Sequence, residues 1–101
     1  MKLVIVTTVD EYKKQVIEIL REAGIESFSK SSIEGFKTSM PDQSTDSWFA
    51  YERSSADSEM FFSFTEDQKI ETLFDLIKRF NEALDSNNPL HAAVMPIERF
   101  I

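Results

Sequence analysis

The sequence predicts an α+β domain in which antiparallel strands form one sheet and two helices cover one of its faces. Three short apolar runs alternate with two stretches whose apolar residues recur at helical spacing. The runs are Leu3–Val9, Met60–Phe64 and Ala92–Met95. With 101 residues, the chain is predicted to form a single domain over residues 1–101.

The apolar runs predict strands that are buried on both faces, because side chains alternate along a strand and both alternating sets are apolar here. In the first strand, Leu3 and Ile5 point to one face and Val4 and Val6 to the other. Two helices can cover only one face. We expect Val4 and Val6 to lie on the face without helices and a second copy of the chain to cover them.

A helix is predicted directly after the first strand, with Asp10 as its N-cap and Gly24 at its C′ position. Its apolar residues are Tyr12, Val16, Ile19, Leu20 and Ala23. Lys14 and Glu18 have the spacing of an ion pair within a helix. The serine-rich stretch Ile25–Phe36 then predicts an edge strand with a bulge near Gly35.

Residues between this edge strand and the next core strand show little periodicity. Lys37–Ser47 predicts a mobile loop, Trp48–Arg53 an extra hairpin strand, and Ser54–Ser58 a polar turn. These segments lead into a core strand over Glu59–Phe64.

The second helix is predicted to be the longest, with Thr65 and Gln68 as a capping box. Its apolar stripe consists of Ile70, Leu73, Phe74, Ile77, Phe80 and Leu84. Asp85–Pro89 ends the helix, and Leu90–Ile97 predicts the last strand. The resulting order, β-α-β-β-α-β with one extra hairpin strand, is the ferredoxin-like arrangement, with both helices on one face.

Composition excludes several classes of function. The chain has no cysteine, which excludes disulfides and thiol chemistry, and its net charge of −7 disfavours nucleic acids. No segment is long and apolar enough to span a membrane, and no signal peptide is recognisable at the start. We therefore expect a soluble cytoplasmic protein without membrane insertion.

Short motifs resemble the superfamily of nitrogen regulatory protein P-II and CutA. Ala93–Glu98 (AVMPIE) is similar to the last core strand of P-II proteins, and Gly35-Phe36 before Lys37–Ser47 is similar to the start of their long loop. Trp48–Phe64 resembles the aromatic strand, acidic turn and central strand of CutA proteins.

This resemblance implies a homotrimer that binds a small ligand or a metal in clefts between subunits and offers residues 37–47 to a protein partner. The implied ligand-binding residues are Gly35, Phe36, Lys37, Trp48, Asn87, Asn88 and His91. A CutA-like trimer that binds divalent metal without a signalling partner is the alternative. The sequence names no cofactor.

Departures from the P-II pattern predict that ordinary nucleotide sensing is absent. The chain contains two glycines, and Asp85–Pro89 offers Asn87 and Asn88 but no glycine, lysine or arginine to hold phosphates. It also stops at Ile101, without the basic C-terminal segment of P-II proteins.

No motif in the sequence predicts catalysis, and we expect the protein not to be an enzyme. His91 is the only histidine, and the serines lack a nucleophile-elbow motif. His91 is either a structural residue or a ligand that needs copies from other subunits. The aromatic cluster is either a cleft floor or part of a core or subunit interface; it consists of Phe36, Trp48, Phe49 and Tyr51.

Overall fold

The computed structural model describes residues 1–36, 55–85 and 87–101, which form one four-stranded antiparallel sheet and two helices. The strands are β1 (Lys2–Val9), β2 (Ser29–Phe36), β3 (Ser55–Thr65) and β4 (His91–Pro96), and the helices are α1 (Lys13–Glu22) and α2 (Asp67–Ala83). The order across the sheet is β2-β3-β1-β4. The predicted ferredoxin-like fold is confirmed. The predicted loop Lys37–Ser47 and extra strand Trp48–Arg53 lie outside the described residues.

Val4 and Val6 belong to the core beneath the helices, so the face assigned to them from the sequence was wrong. Each is 1% exposed, and both pack in one cluster with Val16 and Leu20 of α1 and Leu73 of α2. Alternation shows which residues share a face. Both sets on β1 are apolar, so the pattern gave no reason to assign one set rather than the other to the helices.

A polar residue lies in this core where a nearby group satisfies its hydrogen-bonding capacity. Ser63 lies opposite Val4 on the same face and donates a hydrogen bond of 2.6 Å from Oγ to the Ser27 carbonyl. Phe61, opposite Val6, stacks at a tilt on Phe28 with ring centroids 5.9 Å apart. The serine in the MFFSF run therefore fits a buried position.

The first helix ends as predicted but begins differently. Gly24 has a φ of +84°, and its N–H donates to the Arg21 carbonyl, as expected for a glycine at C′. Asp10 begins a 3₁₀ turn over Asp10–Tyr12 and caps no helix with its side chain; it pairs with Lys13 at 3.3 Å. Glu18 pairs with Arg21 at 3.0 Å rather than with Lys14.

Several predicted boundaries also move. β2 begins at Ser29 rather than Ile25, and its register with β3 runs without a break to Phe36, so no bulge forms at Gly35. Residues 55–58, predicted as a turn, belong to β3 because they continue the pairing with β2.

The second helix lacks the predicted capping box. Thr65 ends β3, and Glu66 is the N-cap of α2 without a side-chain hydrogen bond. β4 covers His91–Pro96, shorter than predicted by one residue at each end.

The opposite face of the sheet, here called the helix-free face, has no helix packed on it in the described chain. Directly opposed residues of antiparallel strands share a face, which assigns its members from the register. On β1, β3 and β4 these residues are Leu3, Ile5, Thr7, Met60, Phe62, Phe64, His91, Ala93 and Met95. Neither described helix has the length and apolar character needed to cross a bilayer.

Candidate functional site

One end of the sheet gathers most of the described residues that the sequence predicts to bind a ligand. β1 and β2 end there, at Val9 and Phe36, and β3 and β4 begin there, at Ser55 and His91. Antiparallel pairing therefore brings Gly35, Phe36 and His91 to the same end of the sheet. Lys37 and Trp48 lie outside the described residues.

A cavity of about 680 Å³ lies at this end, beside β2. Its described lining comes from the start of the 3₁₀ turn and from the paired ends of β2 and β3. The lining residues are Asp10, Ser32, Ile33, Glu34, Phe36, Asp57 and Ser58. Phe36 is 60% exposed and gives the cavity an aromatic wall. Its role in binding stays a prediction.

The described part of this lining is acidic. Glu34 and Asp57 lie directly opposite each other in the β2/β3 register, and Asp10 joins them in the cavity. Like charges directly opposed across strands repel each other. These three carboxylates disfavour an anionic ligand. Their proximity depends on the register of β2 on β3, which no local sequence pattern indicates.

Glu59 lies on the same face as Asp57 and is 2% exposed. Its Oε1 accepts a hydrogen bond of 3.2 Å from Lys30 Nζ, while Oε2 is buried with no hydrogen-bond partner in the described part of the chain. Burying a carboxylate is costly unless it is paired with a cation. The ion pair with Glu59 therefore holds the Lys30 ammonium and makes it less available to a ligand.

On the opposite edge of the sheet, Asn81 positions the connection into β4. Its Nδ2 donates to the Leu90 carbonyl at 3.0 Å, and its Oδ1 accepts from the Leu90 N–H at 2.8 Å. The two bonds fix Leu90, and therefore His91 after it. Asn88 is half-buried in this connection and Asn87 is exposed.

His91 is half-buried at the start of β4, and burial lowers the pKa of its imidazole because desolvation disfavours the charged form. The ring is therefore neutral near pH 7 and can both donate and accept a hydrogen bond. Across the described residues, no three side chains of His, Asp or Glu come together in a way that could hold a metal ion.

Thr7 is a residue that the sequence analysis did not select. It lies directly opposite His91 on the helix-free face, is 4% exposed, and its Oγ1 has no hydrogen-bond partner among the described residues. A signal existed in the sequence. Thr7 interrupts the otherwise apolar series Leu3, Ile5, Val9 on one face of β1.

The predicted ligand residues fall into two groups on opposite edges of the sheet. Gly35 and Phe36 are on β2, and His91 with Asn87 and Asn88 is on or beside β4. Since β3 and β1 lie between these edges, the groups are three strand spacings apart, roughly 14 Å. One chain does not bring the two groups into a single small site.

The split sheet with both helices on one face is the ferredoxin-like fold. No protein-family model matches the chain, and no curated protein matches it in sequence. Comparison with solved structures carries the fold assignment.

Three solved structures illustrate this likeness. CPII from Thiomonas intermedia K12, a nitrogen regulatory PII-like protein bound to ADP, AMP and bicarbonate, matches 99% of this chain and 94% of its own, with TM-score 0.63 and 15% identity. CPII bound to ADP, AMP and acetate matches 97% and 88%, with TM-score 0.64 and 11% identity. A DUF3240 family protein from Shewanella baltica OS155 matches 98% and 91%, with TM-score 0.68 and 16% identity. At these identities the likeness shows the fold alone.

Proposed function

We propose that the protein is a cytoplasmic, non-enzymatic regulator of the P-II-like type that assembles as a trimer and binds a small ligand in clefts between its subunits. The observation that carries the proposal is the placement of Gly35-Phe36 and His91 at the same end but on opposite edges of the sheet. If the β2 edge of one subunit lies beside the β4 edge of the next, both groups line one cleft.

The helix-free face supports assembly. Phe64 is 45% exposed and Met95 is 41% exposed, and Leu3, Ile5 and Phe62 on the same face are partly exposed. Monomers rarely expose a contiguous apolar face of this kind, and closed symmetric oligomers bury it. In a symmetric trimer, the same contact would bury this face on each of the three subunits.

The acidic lining supports a ligand with little negative charge. CPII was solved with ADP and AMP, which makes an adenine series a suitable set of ligands to test. Because Asp10, Glu34 and Asp57 face the cavity, each added phosphate should weaken binding. Without magnesium, we expect the order adenosine, AMP, ADP, ATP from tightest to weakest. We also expect no micromolar site for Mg-ATP.

Two measurements test this proposal. Sedimentation velocity at micromolar concentration should give a trimer, and titration calorimetry should give the stated order. The double variant Glu34→Gln, Asp57→Asn should reduce the difference in binding affinity between adenosine and ADP. The control Glu82→Gln, at an exposed position of α2, should leave this difference unchanged. A stable monomer would overturn the assembly, and tighter binding of Mg-ATP than of adenosine would overturn the ligand class.

A protein partner is proposed for residues 37–47, which lie outside the described residues. The composition of this segment, with Pro41 among Ser, Thr and Asp, offers no core contribution. Deleting Ser39–Thr45 should change the free energy of unfolding by less than about 1 kcal/mol. The variant should retain the adenosine affinity and lose partner capture; retention of every partner would exclude this segment as the contact.

His91 favours a second candidate, a CutA-like trimer that binds a divalent metal. A neutral imidazole is a good ligand for Zn(II) and Cu(II), but a single chain supplies one histidine, so three subunits would have to contribute. Stoichiometric Zn(II) binding that disappears in His91→Gln, together with no binding of the adenine series, would support this candidate over the first.

A further inference from the structure

The cavity beside β2 carries negative charge that the described cations neutralise only in part. The side chains of Glu34 and Asp57 take part in no ion pair or hydrogen bond within residues 1–36, 55–85 and 87–101. Asp10 pairs with Lys13 at 3.3 Å, and both of these side chains are partly exposed. The register holds Glu34 and Asp57 opposite each other, so their carboxylates repel until a cation lies between them. The lining therefore favours a positively charged ligand.

A second observation comes from Glu59, which lies behind this lining. It is 2% exposed, and its Oε2 is buried without a hydrogen-bond partner among the described residues, while Lys30 pairs with Oε1 only. Glu59 is directly opposite Ser32 and on the same face as Asp57, and both of these residues line the cavity. Direct cross-strand neighbours have Cβ atoms roughly 5 Å apart. A donor that enters the cavity past the exposed Ser32 can therefore reach the unpaired oxygen.

The arrangement of these groups favours an organic cation over a metal ion. In the part of the chain that the structure describes, no three His, Asp or Glu side chains are grouped so that they could hold a metal. The cavity, about 680 Å³, has the size of sites that hold small organic molecules. Phe36 adds an exposed aromatic surface, which can pack against carbon atoms or an ammonium group. An ammonium group has three donors, which suits carboxylates at separate points around a cavity.

We propose that this cavity binds a small aliphatic amine, with an ammonium group hydrogen-bonded to Glu59 Oε2 and Asp57 and the carbon chain against Phe36. Hydrogen bonds of this kind are strong because both partners are charged. This inference rests on the proposed ligand-binding function and names a class of ligand for its acidic cavity. The residues that bind the amine all belong to one chain, so the amine needs no neighbouring subunit, unlike a ligand that also contacts the His91 edge.

The test titrates the full-length chain with putrescine, a short aliphatic diamine, and with butanediol, an uncharged molecule of the same length. Calorimetry at low ionic strength should show that putrescine binds at least about tenfold tighter than butanediol, the factor expected for one charge-assisted hydrogen bond. The affinity for putrescine should fall when salt is added, because salt screens the carboxylates. Equal affinities for the two molecules, or no putrescine binding at millimolar concentration, would overturn the inference.

Matched variants distinguish a site from diffuse attraction to a chain with a net charge of −7. Asp57→Asn and Glu59→Gln should each weaken putrescine binding about tenfold. Glu82→Gln removes one negative charge from an exposed position of α2 and should leave the affinity unchanged. If Glu82→Gln weakened binding as much as Asp57→Asn does, the attraction would be diffuse and the inference wrong. Asp57 is exposed, so Asp57→Asn decides the question even if Glu59→Gln fails to fold.

Failure of this inference can be told apart from failure of the proposed function, because putrescine is titrated without adenosine. If the protein is a trimer that binds adenosine but not putrescine, the inference alone fails. If a monomer that does not bind adenosine binds putrescine with the stated effects of the variants, the proposed function fails and the amine site stands as a property of the single chain. If neither molecule binds, both fail.

Discussion

Asn81 and Leu90 are joined by two hydrogen bonds that close the connection between α2 and β4. The side-chain amide of Asn81 donates to the Leu90 carbonyl and accepts from the Leu90 N–H, at 3.0 Å and 2.8 Å. The Asn81 amide thereby pairs with both backbone groups of Leu90, as a residue of a neighbouring strand would. Leu90 is 3% exposed, so these bonds are shielded from water and hold the start of β4 in place.

Asn81→Ala should destabilise the protein by about 2 kcal/mol, because two hydrogen bonds of roughly 1 kcal/mol each are lost. Chemical denaturation measures the change, and Glu82→Ala, on the exposed neighbour, is the control. His91 follows Leu90 directly, so Asn81→Ala should also weaken any ligand that contacts His91. An Asn81→Ala variant as stable as the control would show that the connection is held by other contacts.

Single substitutions to a charged residue should have different effects on the two faces of β1. Val4 is buried under the helices and Ile5 lies on the helix-free face. Val4→Asp should unfold the protein, because a carboxylate placed in the core has no partner. Ile5→Asp should leave a folded subunit and dissociate the assembly, because its side chain contacts solvent once the subunits part.

Circular dichroism and sedimentation of both variants distinguish these results. A folded monomer for Ile5→Asp and a disordered chain for Val4→Asp is the expected pair. If Ile5→Asp sedimented as the parent does, the helix-free face would not be the subunit interface, and another surface would have to account for any assembly.

Most of the fold could be predicted because its signals are local. The helical spacing of Val16, Ile19 and Leu20 and the glycine at position 24 specify α1 and its end without any knowledge of distant contacts. The strand face of Val4 was not predictable in this way. Leu3, Val4, Ile5 and Val6 are all apolar, and only the packing of the helices decides which pair becomes the core.

The site was predicted only in part for a related reason. Gly35, Phe36 and His91 were selected through short motifs, and the described strands bring them to one end of the sheet; their role in binding stays a prediction. Glu34 and Asp57 are 23 positions apart in the sequence, and their pairing depends on the register of β2 on β3, which no local pattern encodes. β2 was also predicted to bulge at Gly35, and a bulge would have displaced this pair.

The ion pair between Lys30 and Glu59 gives a further prediction. Lys30→Met leaves the buried Glu59 carboxylate without its described cation and should cost about 1 kcal/mol, a value reduced because Lys30 is partly exposed to solvent. Adding Glu59→Gln to Lys30→Met should recover most of the loss, because the remaining group is uncharged. Denaturation of the two single variants and the double variant measures the coupling. Additive losses would show that the two side chains contribute independently.

The stability of the protein should fall as the pH is lowered from 7.5 to 5.5, and His91 is the cause. Burial lowers the pKa of the folded imidazole, whereas an unfolded histidine titrates near 6.5. As the pH falls through about 6.5, the unfolded chain takes up a proton that the folded chain still resists, so the free energy of unfolding decreases. Below the pKa of the folded imidazole both states carry the proton, and His91 causes no further loss.

His91 is the only histidine in the chain, so His91→Gln should flatten the dependence of the free energy of unfolding on pH in this range, measured by denaturation at fixed protein concentration. A rise in stability over the same range would mean that the protonated imidazole gains a partner in the folded protein.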